Sequence, residues 1–278
     1  MPLGAAACRP FAMEDRLALI GFGEAGSTFA RAAGWGKRAA AFDLLPARVE
    51  LAAELGLRPA TGAAEALDRT PLVLSLVTAD QAEAVARDYA RLLSPGALWC
   101  DLNSVAPETK RAAARAIEAA GGRYVDVAVL APVEPARLDV PLLLAGASAG
   151  EAEALLRRAG FTDTRVVGDE VGRASAIKMI RSVMVKGVEA LSAEMMLAAQ
   201  AAGVTDEVLA SLDASEKARP WAERAAYNVE RMVTHGARRA AEMEESAKTL
   251  AALGVEPIMT AGTVRRQRAQ AGTPIGST

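Results

Sequence analysis

The stretch RLALIGFGEAGSTFA, residues 16–30, narrows the choice of fold more than any other part of the chain. Four apolar residues, Leu17–Ile20, read as a buried strand; three glycines follow at Gly21, Gly23 and Gly26, and a helical pattern starts among them. Each glycine in this G-x-G-x-x-G spacing has a physical reading. Gly21 permits a tight turn, Gly23 lets a pyrophosphate come close to the backbone, and Gly26 lets helix and strand pack closely. The start of the helix then offers free N–H groups and a partial positive charge to phosphates. The loop Gly21, Phe22, Gly23, Glu24, Ala25 and Gly26 is therefore a candidate phosphate cradle.

A second strand signal, RAAAFDLL, ends in Asp43, about 20 positions beyond the first glycine, as the dinucleotide fingerprint requires. A carboxylate there accepts hydrogen bonds from an adenosine ribose and repels a 2′-phosphate, whereas a plain turn-capping Asp would do neither. NAD is the expected cofactor, because Leu44 and Leu45 follow where an arginine would suit a phosphate. Arg48 is near enough to keep NADP open.

Short apolar runs go on alternating with helical patterns. Strands are expected at 17–20, 39–42, 72–76, 98–101, 124–129, 142–145 and 164–167, with helices between them. This alternation predicts a mostly parallel sheet covered on both faces. After Gly168 the strand signals stop: 171–202 is one long helical pattern, and 205–215 and 219–253 add more. The fold class is thus α/β, a Rossmann-like sheet domain followed by an all-α domain and joined to it by a long helix. The expected division is a disordered extension over 1–13, a dinucleotide domain over 14–170 and a helical domain over 171–278. The tail from Arg265, mixing basic residues with Gly, Thr and Ser, reads as loosely ordered.

Composition excludes several functions. The net charge of −2, without a basic block, argues against a nucleic-acid partner. Two cysteines, Cys8 and Cys100, and a single histidine, His235, leave no metal-ligand set. Cys100 closes an apolar run and reads as a small buried hydrophobe. No apolar run reaches about 18 residues, so no membrane span is expected, and the chain reads as cytoplasmic.

The segment SAIKMIRSVMVKG, 175–187, raises the chemical question. On a helix, Ser175, Lys178 and Ser182 share a face, with Arg181 beside Lys178 at i+3. Ile177, Met179, Ile180, Val183, Met184, Val185 and Val188 make the other faces apolar, as in a buried helix. Buried cations need a cavity or paired acids, so a plain solvated stripe is the weaker reading.

Together, GFGEAG, LVLSLVTADQA, DLNSVAPET, GGRYVDVAV and AIKMIRS resemble the β-hydroxyacid dehydrogenases, the group containing 3-hydroxyisobutyrate and 6-phosphogluconate dehydrogenases. The resemblance spans the chain beyond its first dozen residues. The stretch HGARRAAEMEESAKTLAALGVEP looks like the C-terminal domain of a less characterised branch. The resemblance implies hydride transfer between a nicotinamide and a small anionic substrate such as a hydroxy acid, with Lys178 as general acid/base. It implies that Val77 and Thr78 lie beside the nicotinamide, that Asn103 reaches cofactor and substrate, and that Ser104, Val129 and Ser182 meet the substrate. Arg181, beside Lys178, is read from its own chemistry as a neighbouring cation that lowers the lysine's pKa and as a forked donor to an anionic substrate group. It also implies a homodimer through the helical domain. His235 is read as a further substrate residue, in the region where the family carries a Lys-Asp pair. Two departures stand out: Ser182 replaces the family's asparagine, and Leu130-Ala131-Pro132 replaces its carboxylate-cradling S-G-G loop. Pro132 removes a backbone donor from that loop. Imine reductases share the architecture but generally lack the lysine; a dinucleotide sensor without turnover is the rival from outside enzymology.

Overall fold

The structure is a computed structural model that describes residues 16–215 and 220–273. The expected 1–13 extension lies outside the described residues. The chain divides into two compact units, one ending at Arg181 and the other beginning at Ser182.

The first unit is an eight-stranded sheet with helices on both faces. In chain order its elements are β1 (Leu17–Ile20), α1 (Glu24–Ala33), β2 (Ala39–Phe42), α2 (Pro46–Glu54), β3 (Arg58–Pro59), α3 (Ala63–Leu67), β4 (Leu72–Ser75), α4 (Ala82–Tyr89), β5 (Leu98–Asp101), α5 (Pro107–Ala119), β6 (Arg123–Val129), α6 (Val133–Ala136), β7 (Leu142–Ala145), α7 (Ala149–Arg158) and β8 (Thr164–Gly168). The strand order is β3-β2-β1-β4-β5-β6-β7-β8. All pairings are parallel except β6 with β7. The order reverses between β1 and β4, which opens a crevice at the carboxyl ends of these strands.

Side-chain alternation along each strand builds a core on either face. Leu17 and Leu19 of β1 join Phe22, Phe29 and Leu74 on one face, while Ala18 and Ile20 join Val73, Trp99 and Ile117 on the other. Strands buried on both faces read as continuous apolar runs, which is why they were visible in the sequence. Pro46 and Pro107 open α2 and α5, where a missing N–H costs nothing. The two-residue β3 and the short α3 are too brief for any periodicity to reveal.

A long helix, α8 (Arg173–Ala202), starts in the first unit and continues into the second. The second unit adds α9 (Thr205–Ser215), α10 (Trp221–Ala252) and α11 (Ile258–Gln270). Two expectations need correction here. The tail from Arg265 is helical as far as Gln270, with Val264, Gln267 and Gln270 buried. Gly236 of α10 explains this, since a Cβ there would stand 2.4 Å from the Gln267 carbonyl oxygen. The missing side chain lets the two helices meet at backbone distance. Second, the large apolar residues expected to bury α8 are in several cases exposed in one chain: Ile180 is 73% and Val183 76% exposed. Among the described residues, no helix is long and apolar enough to cross a membrane.

Candidate active site

The glycine loop connects β1 to α1, and its three glycines answer three different demands. Gly21 has φ +89°, and a Cβ would lie 2.6 Å from the Leu76 carbonyl oxygen. A Cβ at Gly26 would press on the Gly21 carbonyl oxygen at 3.2 Å and on the Phe22 ring at 3.3 Å. At Gly23 a Cβ would meet no atom within 4 Å. That open face adjoins the start of α1, which Gly23 caps without a side-chain bond. Unbonded N–H groups and clear space at one point fit a pyrophosphate.

The Phe22 ring is in the core, and its N–H donates to Asp43 Oδ2 at 2.7 Å. Asp43 Oδ1 accepts the Leu45 N–H at 2.9 Å. The carboxylate at the end of β2 is thus held in place by backbone donors, with lone pairs left for ribose hydroxyls. It lines a cavity of about 430 Å³ with Gly21, Gly23, Arg48, Val77, Thr78 and Tyr89. Glu24 and Ala25 form the first turn of α1. All of the sequence-derived cofactor residues except Asn103 therefore collect around one end of β1, β2 and β4.

The second cluster lies at the ends of β5 and β6. Asn103 follows β5, is buried, and donates from Nδ2 to Ser75 Oγ at 3.0 Å; its Oδ1 is buried without a hydrogen-bond partner. The neighbouring Ser104 is exposed, and its Oγ accepts a hydrogen bond from Lys178 Nζ on α8. Arg181, one turn further on, donates to the Leu130 carbonyl at 3.2 Å, just past Val129 at the end of β6. Residues 74 positions apart in the chain thus meet directly.

Beneath this surface lies a charged group that sequence reasoning missed. Register pairs Asp101 of β5 with Asp126 of β6, and alternation turns both carboxylates toward α5. Lys110 of α5 reaches in, its Nζ 2.9 Å from Asp101 Oδ1 and 3.5 Å from Asp126 Oδ1; all three side chains are fully buried. The Tyr124 hydroxyl donates to Asp101 Oδ2 at 2.6 Å. Burial and the facing Asp101 carboxylate push that hydroxyl well above the ordinary tyrosine range, so it stays a donor. The available signal was an acid at the end of one apolar strand, Asp101, and another in the middle of the next, Asp126, which together demand a cation nearby. Cys100, between these layers, is buried as expected, and burial pushes its thiol up to about 12.

Ser182 and His235 belong to the second unit, where His235 is exposed on α10. In that unit Glu194 of α8 caps α11, accepting the Met259 N–H at 2.8 Å and the Thr260 N–H at 2.9 Å.

Similarity to known proteins agrees with this geometry. Residues 16–160, more than half of the chain, match the family model described as the NAD binding domain of 6-phosphogluconate dehydrogenase, and 199–270 match a domain of unknown function. A conserved hypothetical protein from Sinorhizobium meliloti 1021 is 40% identical, over 93% of this chain and 89% of its own, with a TM-score of 0.63. A conserved protein described as structurally similar to 3-hydroxyacid dehydrogenases is 31% identical, over 92% of this chain and 96% of its own, with a TM-score of 0.61. The V8 variant of an imine reductase from Myxococcus stipitatus, solved with NAD+, is 21% identical over 92% of this chain and 94% of its own; its TM-score of 0.76 shows the shared fold alone. The chain belongs to the NAD-binding, dehydrogenase-like family of 6-phosphogluconate dehydrogenase.

Proposed function

We propose that this protein transfers hydride between a nicotinamide dinucleotide and a small hydroxy acid or related anionic alcohol, with Lys178 as general acid/base. The observation that carries the reading is the hydrogen bond from Lys178 Nζ to Ser104 Oγ at the carboxyl ends of the parallel strands. Ligands of open α/β sheets collect at that edge.

The residues divide the work. Gly23 and the start of α1 take the pyrophosphate, and Asp43 takes the adenosine ribose, which favours NAD over NADP. The nicotinamide, when bound, supplies the carbon that accepts or gives the hydride. In oxidation, with the hydride passing to the bound cofactor, Lys178 as the neutral amine would take the substrate's hydroxyl proton as the C=O bond forms; in reduction the resulting ammonium would return it to the alcohol oxygen. Ser104 Oγ, accepting from Lys178 Nζ, orients the amino group. Arg181 offers a forked donor to an anionic group of the substrate, a task the Leu130-Ala131-Pro132 loop cannot perform as a Gly-rich loop would. Asn103 Oδ1, buried and without a bond, is an acceptor for cofactor or substrate. Ser182 and His235 complete the proposed substrate set.

This reading assigns 14–170 to dinucleotide binding and 171–278 to substrate and dimerisation. A homodimer through the helical domain is supported by the bare apolar stripe on α8, which costs free energy until it is covered. The resemblance in fold to imine reductases makes cyclic imines a necessary part of any assay. A panel of hydroxy acids, sugar acids and imines, with NAD and NADP, tests the proposal: hydroxy-acid oxidation with NAD supports it. Imine reduction alone, or cofactor binding without turnover of any class, overturns it.

A further inference from the structure

We propose that Lys110, Asp101 and Asp126 form a positioning unit, in which one buried cation ties the loop carrying Ser104 to the start of the helix carrying Lys178. The proposal rests on the reading of Lys178 as the acid/base. Its parts are two tethers that meet at one nitrogen. On the loop side, Lys110 Nζ donates to the Asp101 carbonyl at 2.5 Å and to Oδ1 at 2.9 Å, and the same Oδ1 accepts the Asn103 N–H at 2.9 Å. Asp101 thereby fixes the turn that leads into Ser104. On the helix side, Asp126 Oδ2 accepts the Gly172 N–H at 3.1 Å, the Ser175 N–H at 2.9 Å and the Ser175 hydroxyl at 3.0 Å. Asp126 therefore caps α8 from a neighbouring strand, one turn before Lys178.

Stability alone does not explain this arrangement. Like charges opposite one another on adjacent strands repel, and a buried ion group is commonly no more stable than apolar residues of the same volume. Two carboxylates with one ammonium leave a surplus negative charge, which the α8 N-terminus answers with its N–H groups and dipole. What the ions supply is direction. Asp126 accepts from α8 on Oδ2, while its Oδ1 makes no hydrogen bond and faces Lys110 Nζ at 3.5 Å as an ion pair, so only a carboxylate holds the helix on one side and the cation on the other. An asparagine there removes the charge that faces Lys110 and must turn its NH2 group toward either that ammonium or the α8 donors, so one tether is lost at unchanged shape.

Trace labelling with acetic anhydride, read lysine by lysine by peptide mass spectrometry from about pH 6 to about pH 11, reports this without a substrate. In Asp126→Asn, acetylation of Lys178 should rise about fivefold and its pH profile should move, as the ammonium is freed from Ser104. Lys37, which donates to the Leu57 carbonyl elsewhere in the unit, serves as the internal control and should label as in the parent. Ser175→Ala, a milder change that removes one bond and no charge, should give a smaller rise in the same direction. Circular dichroism confirms the folded state of each. A Lys178 profile that superimposes on the parent in folded Ser175→Ala and Asp126→Asn overturns the proposal, and so does an equal rise at Lys37, which marks general loosening. Should Lys178→Met retain hydride transfer, the acid/base reading falls while the labelling result stands, so the two failures are distinguishable.

Discussion

Gly21 and Gly23 sit two residues apart, yet the structure asks opposite things of them. At Gly21 the backbone has φ +89° and a carbonyl oxygen occupies the place of a Cβ, so Gly21→Ala should lower stability by about 1–3 kcal/mol or more, read by urea unfolding. At Gly23 nothing occupies that place, so Gly23→Ala should unfold like the parent while losing about tenfold or more in NAD affinity, about 1.4 kcal/mol by calorimetry. An equal loss of stability in both variants would contradict the assignment of Gly23 to the cofactor. Asp43→Ala should erode the proposed preference for NAD over NADP, measured as the ratio of the two dissociation constants. At this scale the sequence was informative because each glycine's role follows from a spacing that backbone geometry dictates. Lys110 was opaque for the opposite reason: a lysine in PETKRAAA reads as a solvated helix residue until the register of β5 and β6 is known.

Among the elements, α11 shows how a single side chain can order a segment that composition alone calls loose. Burial pushes the Glu194 carboxyl up, but hydrogen bonds from the Thr260 hydroxyl and the Met259 and Thr260 N–H groups outweigh it and hold the carboxyl below the usual carboxylate range. A carboxyl depressed in the folded state contributes stability that is complete above its unfolded pKa, about 4.3, and disappears as pH falls through the lower folded value. Acidification below about pH 4 should therefore loosen α11 in the parent, seen as faster amide exchange over 258–270. Glu194→Gln should already show much of that exchange at neutral pH and little further change on acidification; a matching acid response in both would remove Glu194 from this role. The strands of the first unit were legible because double-sided burial writes them as apolar runs. The helical packing of the second unit was not, since Gly236 at a helix crossing looks in the sequence like any other glycine.

For the whole molecule, the proposed homodimer is the reading that reconciles the apolar stripe of α8 with its exposure in one chain. Val183→Asp should convert the proposed dimer to monomer in sedimentation, and an unchanged mass would reject α8 as the interface. The sequence displays this stripe as that of a buried helix, since periodicity reports that a face is apolar and not what covers it. The sheet edge is where the account commits itself. Ser104 and Lys178 meet there on the first unit, and the proposed proton transfer runs through that amino group. The decisive measurement is turnover of the best hydroxy acid from the panel by Lys178→Met at saturating NAD. The account predicts a fall of about 10²–10⁴ in kcat with NAD affinity intact; a variant that keeps the parent's kcat would contradict it.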